Sequence, residues 1–208
     1  YMDIAGSLLT GGIAFVQNLA GIMVRPYATY RRIVAKGTLW ELVYVAVLLA
    51  GYFSLFSVVK TAAFRPFLLT RQFVVLAAGA AATYLGAIGM IWVIGRKLGG
   101  RGTLSGIAVA WGYTLIPTLV WFLATSLLYV FLPPPRTTSS AGILFSIVYL
   151  IFSATIFWWK LILAYLTLRF GLRLDLQRIA IVALVAVPIV AVYSVGMYWL
   201  GIFRVPFL

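Results

Sequence analysis

Residues 73–95 read FVVLAAGAAATYLGAIGMIWVIG, twenty-three positions without a charge, bracketed by Arg71 and by Arg96-Lys97. About 20 apolar residues in a helix cross the hydrocarbon of a bilayer. Lipid offers the backbone no hydrogen-bond partners, so a run of this length in lipid must close its own bonds as a helix. Four further runs share the pattern, and the expected spans are about 39–59, 73–95, 103–132, 141–168 and 179–203. Only Lys160 interrupts the fourth. None alternates polar with apolar residues, which argues against outer-membrane strands. The expected fold is all-α, a polytopic transmembrane helical bundle of five spans.

Composition agrees. The chain has 208 residues, of which 64% are hydrophobic and 9% charged. A soluble domain carries about 25% charged residues. With no Cys and no His, thiol chemistry, haem ligation by His and typical zinc sites are excluded. Only Asp3, Glu41 and Asp175 are acidic, too few for a carboxylate metal site. No cofactor and no metal are expected, and no catalytic residue stands out. The net charge of +13 would suggest nucleic acid in a soluble protein, but no basic soluble domain is present. The basic residues lie between apolar runs, where they set topology and attract anionic headgroups.

Residues 1–36 form an N-terminal segment ahead of the five-span domain at 37–208. Ile4–Val24 is uncharged and long enough to span, yet it carries Gly6, Ser7, Thr10, Gly11, Gly12, Gln17, Asn18 and Gly21. From Ile13 on it is amphipathic, with Phe15, Val16, Leu19, Ile22 and Met23 on one side. A helix lying at the interface is the expectation, with an extra span over 4–24 as the alternative. Arg25, Arg31, Arg32 and Lys36, then Arg96, Lys97 and Arg101, then Arg169, Arg173 and Arg178 should share one side, ten basic residues in all. Lys60, Arg65, Arg71, Arg136 and Arg204 make five on the other. The richer side should be cytoplasmic, which puts the N-terminus inside and the C-terminus outside a cell (inner or plasma) membrane.

Glu41 and Lys160 are the charges nearest hydrocarbon. Intramembrane charges are costly and often functional. Three readings stay open: Lys160 snorkels to the headgroups, it pairs with Glu41, or the two line a proton or substrate path. Arg31, Arg32, Arg96, Lys97 and Arg101 are candidate contacts for lipid headgroups. The glycine-rich turn from Gly95 to Gly102 lacks the ending of a P-loop. Ladders of small residues, Ala78/Ala82/Gly86 with Gly79/Thr83/Ala87, and Gly102/Gly106/Ala110, suit close helix packing. In the third span Gly112 makes room for a neighbour, Tyr113 brings a hydroxyl that needs a partner, and Pro117 should kink or break the helix.

Three features resemble the Yip domain family, the Ypt/Rab-GTPase-interacting proteins and their prokaryotic relatives. The Pro-led segment Arg25-Pro26-Tyr27-Ala28-Thr29-Tyr30-Arg31-Arg32-Ile33 precedes the first span, a Gly-rich turn precedes the third, and the third carries Gly112-Tyr113-x-x-x-Pro117. The resemblance covers about residues 25–203 and suits a prokaryotic-type member. It implies a non-enzymatic membrane protein that binds other proteins. The Asp-Leu-Tyr-Gly-Pro motif is missing, and no long segment precedes the first span, so Rab binding is not carried over. The expected function is a membrane scaffold or accessory subunit of a membrane protein complex. The alternative is a small permease or permease subunit using the Glu41/Lys160 region and the Pro117 break.

Overall fold

The computed structural model describes residues 4–61, 71–131 and 139–201. Arg65, Arg136, Arg204 and the run Pro133 to Pro135 lie outside them. The described residues form helices and no strand: α1 (Ile4–Val24), α2 (Pro26–Lys36), α3 (Trp40–Thr61), α4 (Arg71–Lys97), α5 (Leu104–Tyr113), α6 (Leu115–Phe131), α7 (Ser140–Leu166) and α8 (Leu176–Trp199). A π-helical turn, Thr167–Gly171, extends α7. The chain is an all-α helical membrane bundle, as composition requires.

Five stretches are long and apolar enough to cross a membrane: Gly6–Val24, Phe73–Lys97, Leu104–Leu128, Gly142–Gly171 and Leu176–Trp199. The pair α2–α3 meets the same measure jointly but is bent by 119° between Lys36 and Trp40. Length and composition therefore rank α1 with the spans, although its sequence suggested an interfacial helix. The segment 39–59, expected as a span, corresponds to helix α3, which meets the measure jointly with α2.

Local chemistry sets the ends. Thr103 caps α5 by accepting from Gly106 N, and Ser139 caps α7 by accepting from Gly142 N. Pro26 opens α2 at a position where its missing N–H costs nothing. The third span is interrupted at Thr114 rather than at Pro117. Proline has no N–H for the Tyr113 carbonyl and its ring crowds that group, so the break falls one turn earlier. Thr114 ties the break by donating from N and Oγ1 to Trp111 O, at 3.0 and 2.7 Å.

α1 folds back along α2, with Gly21 against Thr29 and Asn18 bonded to Arg32. The contacts tying α1 to α3 fall on Trp40, Glu41 and Tyr44, the first five residues of α3. α1 thus crosses the start of α3 instead of running alongside it. The core lies where α1, α2, α3, α5 and α6 meet, around Phe15, Ile22, Tyr30, Val45, Val109 and Tyr113. α7 rests on α6 through Trp121 Nε1, which donates to Ser153 Oγ at 2.9 Å. α8 rests on α4 through a 2.6 Å bond between the hydroxyls of Thr83 and Tyr193. Of the two ladders in α4, Thr83 and Ala87 face inward while Ala78, Ala82 and Gly86 face outward.

Candidate functional site

The motif Gly112 to Pro117 is buried throughout. A Cβ on Gly112 would collide with Leu42 Cδ2, so glycine is what lets α5 meet α3 here. That approach aims the neighbouring Tyr113 at Glu41, the second residue of α3.

Glu41 is 1% exposed, the most deeply buried acidic side chain described. Its Oε2 accepts from Asn18 Nδ2 at 2.8 Å and from the Tyr113 hydroxyl at 2.5 Å. Its Oε1 accepts from Thr38 N at 2.9 Å. Asn18 is itself held by Arg32, whose Nη2 and Nε donate to Asn18 Oδ1 at 2.7 and 3.1 Å. Arg32 Nη2 also reaches Gln17 O at 3.4 Å. One polar chain therefore runs from an exposed guanidinium, through a buried amide and carboxyl, to a buried phenol, and it joins α1, α2, α3 and α5. Phe15 roofs it, stacked on Tyr44 at 5.7 Å and on Tyr113 at 5.8 Å.

A second set of contacts seats α2. Tyr30 is fully buried and donates to Ala110 O at 3.3 Å. Burial pushes its hydroxyl above the ordinary phenol range, against the opposing pull of a hydrogen bond with Thr167. Tyr27 meets Phe170 edge-on at 4.7 Å.

Lys160 and Glu41 do not pair, which corrects one of the sequence readings. Asn18, Tyr113 and Thr38 supply the bonds of Glu41, whereas Lys160 Nζ donates to Thr118 Oγ1 at 2.7 Å. The π turn carries the α7 helix on to Gly171, so Lys160 lies eleven residues, about 16 Å, from that end. That is deeper than the end expected at residue 168 suggests. Lys160 is half-buried beside Thr118, the residue after Pro117.

The three basic segments meet at one end of the bundle. Arg101 N donates to Leu172 O at 3.0 Å, a Cβ on Gly99 would touch Arg178 Nη1, and Tyr27 of α2 touches Phe170. Gly99 has φ +84°, and a Cβ on Gly102 would collide with the carbonyl of Gly171, so close loop packing accounts for both glycines. Arg31, Arg32, Arg96, Lys97 and Arg101 belong to this end and are all exposed, with Arg96 also 5.4 Å over the Trp92 ring. Among the described residues the single ion pair is Arg178–Asp175 at 3.7 Å, at the start of α8.

Asn18 and Arg32 are the members that the sequence did not assign to the Glu41 site. Asn18 looked like part of the polar face of α1. It shares an i, i+3, i+7 stripe with buried Phe15 and Ile22, and an amide on an inward stripe is the signal that a partner must exist. No curated protein and no solved structure matches the chain. The Yip1 domain model matches residues 20–198, from the last turns of α1 to the end of α8, and so takes in the Pro-led α2, the Gly-rich turn and the Gly112-Tyr113-x-x-x-Pro117 motif. The chain belongs to the Yip1 domain family.

Proposed function

We propose that this chain is a non-enzymatic membrane scaffold or accessory subunit, whose α1–α2 pair lies on the cytoplasmic face against anionic headgroups. The observation that carries it is the use made of the Glu41 site. Its donors and acceptors serve one another across four helices, the arrangement of a structural joint and not of an acid–base pair open to a substrate.

The inclination of α1 supports its interfacial placement. α2 is bent by 119° from α3, α1 runs back along α2, and the contacts of α1 with α3 fall on the first five residues of that helix, so α1 lies across its start. To cross a membrane, the 21 residues of α1, about 30 Å of helix, would have to stand close to the bilayer normal. Hydrocarbon is about 30 Å thick. The outward residues Leu9, Ile13, Val16, Ala20 and Met23 repeat at helical spacing and suit contact with acyl chains. The ten-to-five division of basic residues, with the richer set gathered at one end, supports a cytoplasmic N-terminus and an external C-terminus in a cell membrane.

Purification in mild detergent at native expression level tests the scaffold reading. A stoichiometric membrane-protein partner or a defined oligomer is expected, and a monodisperse monomer without one contradicts it. A permease or permease subunit is the second reading, favoured by the Lys160–Thr118 bond next to the interrupted third span. Liposome flux of a small solute that disappears in Lys160→Met supports it, and flux indifferent to that change removes its basis.

A further inference from the structure

A groove of about 400 Å³ runs along the outer side of α1, lined by Leu9, Gly12, Ile13, Val16, Gln17 and Tyr44. Gly12 opens it, since a Cβ there would sit 2.7 Å from the Tyr44 hydroxyl oxygen. Tyr44 is fixed in turn by donating to Leu8 O at 2.7 Å, so the wall it forms is held by a polar bond as well as by packing. The lining is apolar except at Gln17, and at that end Arg32 Nη2 reaches the Gln17 carbonyl. Arg32 is exposed, and its Nη1 has no intrachain partner among the described residues.

We infer that this groove is a specific site for one anionic phospholipid, with an acyl chain along Leu9, Ile13 and Val16 and the phosphate on Arg32. Apolar length ending in an exposed guanidinium whose Nη1 remains available matches an amphiphile with an anionic head. A partner helix, about 10 Å across, would fill this volume in roughly one turn, whereas a chain of methylenes can run its length. The site rests on the interfacial placement of α1 and adds lipid selectivity at one position. It also connects that lipid to Glu41, because the guanidinium that takes the phosphate holds Asn18.

The test is photo-crosslinking in liposomes with phosphatidylglycerol or phosphatidylcholine carrying a diazirine on one acyl chain, with labelled residues located by mass spectrometry. The α8 residues Leu184 and Val187, at least as exposed as Ile13 and Val16, report ordinary surrounding lipid. With phosphatidylglycerol, labelling at Ile13 and Val16 should exceed that at Leu184 and Val187 by about fivefold, the ratio one basic residue near an anionic headgroup gives. With phosphatidylcholine the ratio should be near one. Val16→Trp fills the groove from an exposed position, Arg32→Gln removes the head contact, and each should bring the phosphatidylglycerol ratio to near one. Equal labelling by the two lipids, or a ratio that survives either substitution, overturns the site. Unselective labelling of an α1 still accessible from the cytoplasmic side would reject the site and leave the interfacial placement standing.

Discussion

Glu41 is where an acidic side chain in an apolar protein has to be accounted for. A buried polar group without partners costs more than a hydrogen bond returns, so it persists where its neighbours are arranged around it. Asn18, Tyr113 and the Thr38 amide are those neighbours. Glu41→Ala leaves all three donors unanswered and should lower stability by about 3 kcal/mol or more. Glu41→Gln keeps a carbonyl oxygen as acceptor and should lose clearly less. Thermal unfolding in detergent measures both, and equal losses would contradict the joint. Gly112→Leu tests the approach that makes it, since any side chain there meets Leu42. It should cost about 1–3 kcal/mol by overpacking, read in the same assay. Gly112 and Tyr113 were legible as a motif, but their partner was not. Glu41 and Tyr113 are 72 positions apart, and no local periodicity encodes a meeting at that distance.

At the scale of elements, apolar length located the long helices closely, because lipid leaves the backbone no other solution. The break in the third span was legible from Pro117, one turn late, because proline acts on the carbonyl four residues before it. Pro188 inside α8 leaves that helix in one piece, so a proline alone does not decide between a break and a tolerated irregularity. The small-residue ladders were legible as ladders, whereas which one packs depends on how α4 is rotated. Two glycine substitutions separate these roles. Gly102→Ala sets a methyl against the Gly171 carbonyl and should cost about 1–3 kcal/mol. Gly86→Ala meets nothing within 4 Å and should be neutral or stabilising by up to about 1 kcal/mol, the helical gain of alanine over glycine. Thermal midpoints of the two variants should therefore move apart, and a similar loss in both would contradict the packing described for the turn from Gly95 to Gly102.

For the whole molecule, the seating of α1 decides the side on which the chain begins. Composition alone ranks it with the spans, and its small and polar residues argued otherwise. The packing adds what sequence could not hold: a crossing confined to the start of α3, a return along α2, and a hydrogen-bonded anchor at Asn18. A helix held in that way completes the end of the bundle at which the basic segments gather. The chain has no cysteine, so a single introduced thiol reports its own side of the membrane. Met2→Cys, Thr38→Cys and Leu200→Cys, each treated with an impermeant maleimide in sealed vesicles of both orientations, make the most direct measurement. Positions 2 and 38 should label from the cytoplasmic side and position 200 from the opposite side. If position 2 labels with position 200, α1 crosses the membrane and does not lie at its interface.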